Sequence, residues 1–144
     1  MIGPTGPLVS RRTPRCGDAS NARQYAEQAA KALEEQLVSA PDDSGRRMEL
    51  GLALAHLGRK EDAIREGERA VALDPVAKDQ LYGPYVQHQL AWVYILVGEP
   101  EKALDRLEPL LKIPYYLTPR WLAIDPTFDP LHKNPRFQRL VAGK

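Results

Sequence analysis

The chain has 144 residues, of which 43% are hydrophobic, and its 20 basic and 19 acidic side chains leave a formal net charge of +1. This length suits one domain with an apolar core, and the balanced charge gives no indication of a nucleic-acid or membrane partner. The apolar runs are too short and too interrupted by charge for a transmembrane helix, and no secretory signal is visible. The only cysteine, Cys16, excludes an intramolecular disulfide and a cysteine-based zinc cluster, so we expect a cytoplasmic protein.

Residues 1–20 contain three prolines, three glycines and three arginines, with no acidic residue before Asp18. This composition predicts a flexible basic arm. The arm could contact phosphate groups or act as a plain linker. We favour a linker, because no aromatic residue lies among the arginines.

From Asn21 onward the hydrophobic pattern becomes helical. Tyr25, Ala29, Leu33 and Leu37 recur every four residues, which predicts a helix over 21–40. The same reasoning predicts helices over 46–57, 60–73, 84–97 and from Pro100 onward, with glycine turns at 58 and 98. Proline 109 should kink or shorten the last of these helices.

The tail, residues 113–144, contains five prolines and cannot form one long helix. Thr118-Pro119 and Asn134-Pro135 each place a capping residue before a first-turn proline, which predicts short helices over 119–124 and 135–141. No segment alternates with a period of two, so we expect an all-α fold. We also expect the apolar residues of the tail to cover the end of the preceding helices, namely Trp121, Leu122, Ile124, Phe128, Leu131, Phe137 and Leu140.

The predicted helices come in pairs, and Pro41 and Pro75 lie 34 residues apart. In residues 44–77 the chain resembles the tetratricopeptide repeat (TPR) family. The residues that carry the resemblance are Leu50, Gly51, Leu54, Ala63, Ala70 and Pro75. Arg47 stands where the family has a tryptophan, and Gly67 stands where it has a bulky residue.

Residues 84–117 follow the same TPR pattern with Leu90, Ala91, Tyr94, Gly98, Ala103 and Leu107, and Pro114 comes one residue early. The helix over 21–40 resembles the second half of another repeat, which gives a half repeat over 21–41. The resemblance therefore implies a right-handed helical-repeat solenoid over residues 21–117, with about two and a half helix pairs, followed by a capping segment over 118–144.

A second resemblance concerns the tail. Ile113-Pro114, Asp125-Pro126, Asp129-Pro130-Leu131 and Pro135-Arg136-Phe137-Gln138 are similar to the C-terminal end of repeat regions fused to bacterial Ser/Thr kinases and adenylate-cyclase-type signalling proteins. This similarity implies a scaffold or sensor segment of a signalling protein. No kinase or cyclase motif is present, so it implies no catalytic activity.

Residues that could carry chemistry do not form a recognisable site. His56, His88 and His132 lack the helical spacing of a zinc site, and Asp125 and Asp129 each precede proline, which is typical of turns. We therefore expect no enzyme activity, no metal and no cofactor. His88 and His56 could contact a ligand or respond to pH, or could simply pack.

In TPR proteins the first helix of each pair lines a concave groove. The resemblance assigns to this groove the residues Met48, Leu52, His56, Tyr85, His88, Gln89, Trp92 and Ile95. This apolar and aromatic set predicts a protein–protein interaction module that binds a peptide or helix. The residues that would clamp a terminal carboxylate in chaperone-binding relatives are absent, which favours an apolar ligand. The alternative is self-association or a spacer role in a larger signalling protein. The groove could also be covered already, by the helix over 21–40 or by the tail.

Overall fold

The computed structural model describes residues 16–74, 78, 82–115 and 117–143, and within these residues the chain is helical and contains no strand. The first five α-helices are α1 (Cys16–Ser39), α2 (Ser44–His56), α3 (Lys60–Leu73), α4 (Tyr82–Leu96) and α5 (Pro100–Leu110). The tail forms α6 (Pro119–Ile124), a 3-10 helix (Pro126–Leu131) and α7 (Pro135–Val141). The prediction of an all-α protein is confirmed.

Polar caps and glycines fix the helix ends at the predicted places. The side chains of Asp43, Thr118 and Asn134 accept hydrogen bonds from backbone N–H groups in the first turns of α2, α6 and α7. Gly58 and Gly98 follow α2 and α4 with φ angles of 77° and 81°. Only glycine adopts this left-handed conformation without steric cost, which is why the chain turns there into the next helix.

Helices α1, α2 and α4 begin two to five residues before their predicted starts, and the tail contains one element that was not predicted. Helix α1 begins at Cys16 rather than Asn21, so residues 16–20 are helical and the remainder of the predicted arm, residues 1–15, lies outside the described residues. Helix α4 begins at Tyr82 and contains Pro84 in its first turn, where no intrahelical N–H bond is lost. Helix α5 ends one residue after Pro109, which confirms the predicted shortening. The 3-10 helix was not predicted, because its two prolines and the aspartates at 125 and 129 obscure its pattern.

The helices pack mainly on their neighbours in the sequence. Helix α2 packs against α1 and α3, α4 packs against α3 and α5, and α2 also contacts α4. Such neighbour-on-neighbour packing is typical of helical repeats, in which each pair buries the apolar face of the next. The helical-repeat-like character is therefore observed, whereas the TPR identity and the handedness stay predictions. Pro75, which should end the first repeat, lies outside the described residues.

Two glycines bring α2 and α3 unusually close together. A Cβ atom added at Gly51 would lie 3.1 Å from the carbonyl oxygen of Ala63 and 3.2 Å from the backbone nitrogen of Gly67. A Cβ atom at Gly67 would lie 2.8 Å from Cδ1 of Leu90, which belongs to α4. The space that a bulky residue fills in the TPR pattern is therefore taken by the side chain of Leu90.

Arg47, the other departure from the TPR pattern, links the same two helices. Its Nη1 atom lies 2.7 Å from Oε2 of Glu66 on α3, and its Nε atom donates to the carbonyl oxygen of Pro41 at 2.7 Å. Both charged side chains are largely shielded, at 13% and 14% exposure. A shielded, hydrogen-bonded ion pair thus joins α2 and α3 at the position where the TPR pattern would have a tryptophan.

The tail packs against the end of the helical pairs. The side chains of Leu122, Phe128, Leu131 and Phe137 are buried, as predicted, and Leu140 is half-buried. The prediction is wrong for Trp121 and Ile124, which remain 41% and 65% exposed. Helix α6 has only six residues, so its apolar positions cannot all face the core, and Leu122 takes the inward position.

Arg136 fixes the tail to α5 by charge. Its guanidinium group lies 2.7 Å from Glu108, 2.8 Å from Asp105 and 3.4 Å from Glu101, which line one face of α5. Asn134 adds a hydrogen bond of 2.7 Å to Glu101. The hydrogen bond from Arg136 lowers the pKa of Glu108, so that carboxylate stays ionised at moderately acid pH.

Candidate interaction surface

Helix α4 presents an apolar stripe to solvent. Tyr85, Gln89, Trp92 and Leu96 recur every three or four residues, so they lie on one face of the helix. Tyr85, Trp92 and Leu96 are 42%, 36% and 36% exposed, and Gln89 is half-buried. The 15 residues of α4 include no Asp, Glu, Lys or Arg. An exposed helix face of this kind usually carries charge, so the stripe marks a candidate contact surface.

Helix α2 contributes fewer exposed side chains to this surface than the sequence predicted. Leu52 is half-buried and His56 is exposed, so both remain accessible beside α4, which α2 contacts. Met48 is fully buried and Ile95 is only 8% exposed, so these two side chains belong to the core and not to a surface. Met48 faces the contact between α2 and α3, because a Cβ at Gly67 would lie 3.9 Å from its Sδ atom.

Leu96 was not among the predicted groove residues, although it lies one turn beyond Trp92 on the same helix face. The predicted repeat positions ended at Ile95, whose side chain turns inward. Continuing the stripe from Tyr85 and Trp92 at helical spacing would have identified Leu96 from the sequence.

His88 lies on α4 but is packed by the tail. Its ring stacks on Phe128 of the 3-10 helix, with centroids 5.9 Å apart and an interplanar angle of 13°. Its Nδ1 atom lies 3.0 Å from the hydroxyl oxygen of Tyr115, whose ring meets it edge-on. Phe128 in turn stacks on Phe137. The tail therefore covers the His88 side of α4, and His88 acts as a packing residue here.

Burial lowers the pKa of His88 below the ordinary value of 6.5, because the charged imidazolium loses hydration. The nearby carboxylate of Asp125 opposes this shift. Burial also raises the pKa of Asp125, but hydrogen bonds from Thr127 and Trp121 outweigh it and the net pKa of Asp125 is lowered. At neutral pH the site thus contains an uncharged imidazole and an ionised carboxylate.

On the side of α4 that faces α3, Tyr94 donates a hydrogen bond of 2.6 Å to Oε1 of Glu68. Burial, followed by the neighbouring Glu68 carboxylate, raises the pKa of Tyr94 to about 12. Tyr94 therefore remains a neutral hydrogen-bond donor and joins the two helix pairs. This contact fixes the orientation of α4, and with it the orientation of the stripe.

The predicted turn roles of Asp125 and Asp129 agree with their contacts. Asp125 accepts hydrogen bonds from the backbone N–H of Thr127 at 2.9 Å and from Nε1 of Trp121 at 3.0 Å. Asp129 lies 3.8 Å from His132. Within the described part of the chain, no group of three His, Cys, Asp or Glu residues could hold a metal ion.

The helices of the described residues are all too short or too polar to cross a bilayer.

Comparisons with protein-family models, with curated proteins and with solved structures found no match to this chain. The resemblance to the TPR family, and to the repeat regions of bacterial signalling proteins, therefore stays a prediction from the residues that carry it.

Proposed function

We propose that this protein is a non-catalytic protein–protein interaction module of the TPR type, and that it binds a peptide or helix along the exposed stripe of α4. The observation that carries the proposal is the charge-free stripe itself, with three large apolar side chains exposed on one helix face. Apolar and aromatic residues are enriched in the centres of protein interfaces, and charged residues are depleted there.

The chemistry of the stripe sets the kind of ligand. Tyr85 and Trp92 are seven residues apart, or about 10.5 Å along the helix axis. Each offers a large rigid ring with a polar group, which makes it an effective anchor at low entropic cost. Gln89 lies between them and can exchange hydrogen bonds with a ligand backbone. A short amphipathic or extended peptide with two apolar anchors matches this arrangement.

The surroundings of the stripe make it a defined surface. The tail packs over His88 and so limits the stripe on one side, while Leu52 and His56 of α2 remain accessible. The helices are fixed by the hydrogen bond from Tyr94 to Glu68. A stripe held by rigid helices loses little conformational entropy when a ligand binds. A scaffold role in a bacterial signalling protein would use such a surface to recruit a partner.

The test is to pan a random peptide library displayed on phage against the purified chain. We expect enrichment of peptides with two apolar anchors. Their affinity should fall by roughly tenfold or more in the Trp92→Ala variant, because truncation of a central aromatic anchor commonly removes that much binding energy.

Trp121→Ala is the matched control, because Trp121 is exposed to a similar degree but lies in the tail. It should bind the enriched peptides as the unmodified protein does, and circular dichroism should show that both variants keep their helicity. The proposal fails if no peptide is enriched, or if Trp92→Ala binds the enriched peptides unchanged.

A further inference from the structure

The two ends of the helical stack each expose apolar side chains. At one end, α1 has 24 residues and α2 has 13, so their lengths are about 36 Å and about 20 Å. Helix α1 therefore extends beyond α2. Residues 20–29 are accordingly exposed, except for the half-buried Ala26. Tyr25, on this projecting part, is 71% exposed.

At the other end, the tail contains an open apolar pocket of about 390 Å³ between α6 and α7. It is lined by Ala123, His132, Phe137, Gln138, Val141 and Ala142. Helical-repeat proteins usually end in a cap with a polar outer face. Here the cap combines an apolar pocket with the exposed side chain of Ile124.

The two ends carry opposite charge. Residues 20–43 contain five carboxylates and two Lys or Arg side chains, for a net charge of −3. Residues 117–143 contain four Lys or Arg side chains and two carboxylates, for a net charge of +2. Pairing two caps would bring like charges together, whereas pairing a cap with the α1 end would bring opposite charges together.

Tyr25 and the α6–α7 pocket are also complementary in shape and polarity. A projecting tyrosine suits a pocket with an apolar floor and a polar edge, because its ring is apolar and its hydroxyl group needs a partner. The pocket has this composition: Phe137, Val141 and the two alanines are apolar, and Gln138 can exchange a hydrogen bond with a hydroxyl group.

We propose that the α1 end of one copy of this chain docks on the α6–α7 pocket of a second copy, with Tyr25 as the anchor. The contact is heterologous, so each copy keeps one unused end and the assembly can grow. This inference is independent of the proposed function, because it uses the ends of the stack and leaves the α4 stripe exposed.

The first measurement is the molar mass of the full chain by sedimentation velocity over a broad range of concentration. We expect mass that rises with concentration through dimers and larger species. The association should weaken as the salt concentration is raised to about 0.5 M, where charge attraction is screened. A constant monomer mass across the concentration range overturns the proposal.

Two variants separate the proposed contact from a symmetric one. Tyr25→Ala removes the anchor but keeps the pocket, and Ala142→Glu places a negative charge at the pocket but keeps α1. Each variant alone should associate roughly tenfold or more weakly than the unmodified chain. Mixed together, they should form a one-to-one dimer that does not grow, because only one compatible pair of ends remains.

If Tyr25→Ala alone still dimerises fully, the contact is not the one proposed. Gln138→Glu serves as a second pocket variant if Ala142→Glu does not fold. Tyr85→Ala is the matched control, because it removes an exposed tyrosine from α4 and should leave association unchanged. Conversely, Tyr25→Ala should leave peptide binding to the α4 stripe unchanged, so the two proposals fail separately.

Discussion

The pair α2–α3 and the pair α4–α5 share one framework but present different surfaces. Helix α2 buries Met48 and exposes the polar residues Glu49 and His56, whereas α4 exposes Tyr85 and Trp92. The inward positions of both helices are apolar because they must pack, and the outward positions are under no such constraint. Two helix pairs of one chain can therefore agree in their packing while they present different surfaces.

The two pairs also differ in how they fill the space between their helices. Leu107 on α5 fills its site with its own side chain and is fully buried. At the corresponding position of the first pair stands Gly67, and Leu90 from α4 fills the space instead. The first pair thus depends on the second for its packing.

Leu107→Ala should cause the largest loss of stability. Truncation of a fully buried leucine leaves a cavity and costs about 2–5 kcal/mol of unfolding free energy. Urea denaturation followed by circular dichroism measures this loss. A change below about 1 kcal/mol would show that α4 and the tail collapse into the site.

Gly67→Leu should cost less, about 1–3 kcal/mol, because the new side chain competes with Leu90 for one space. Combining it with Leu90→Ala should recover part of the loss, and a double-mutant cycle by urea denaturation measures the coupling. Ala72→Leu, at an exposed position of the same helix, is the control. If the losses of unfolding free energy from Gly67→Leu and Leu90→Ala simply add, the two side chains do not compete for one space.

Arg136→Met should lower stability by about 1 kcal/mol, because its three carboxylate partners on α5 are partly exposed and screened by solvent. The loss should shrink at high salt. Arg139→Met, on the exposed side of the same helix, is the comparison and should have little effect. Equal losses for both variants would mean that the tail is held by apolar burial alone.

The smallest effect should be a pH dependence from His88. Its pKa is lowered in the folded protein, so the unfolded chain binds more protons as the pH falls below about 6.5. The contribution of neutral His88 to the free energy of unfolding should therefore be fully present above that pH. It should be lost as the pH falls towards the folded-state pKa. Urea denaturation at several pH values measures the slope. His88→Gln should reduce it, and the exposed His56→Gln variant should retain it.

The helix boundaries were predictable where local chemistry sets them. Capping residues, first-turn prolines and positive-φ glycines act over a few residues, so α6 and α7 were located correctly from Thr118-Pro119 and Asn134-Pro135. The direction of individual side chains was less predictable. Met48 and Ile95 share a helical pattern with exposed residues, but neighbouring helices enclose them. In the tail, Trp121 and Ile124 are exposed because Leu122 takes the inward position.

The sequence by itself determined an all-helical chain of paired helices with a short, proline-punctuated tail, because helical periodicity and capping are local properties. Only the tertiary structure decided which apolar residues remain on the surface. Three contacts join residues that are far apart in the chain. Leu90 fills the space beside Gly67, Phe128 packs on His88, and Arg136 holds the tail on α5. Such contacts depend on how the helices meet in space, which periodicity does not encode.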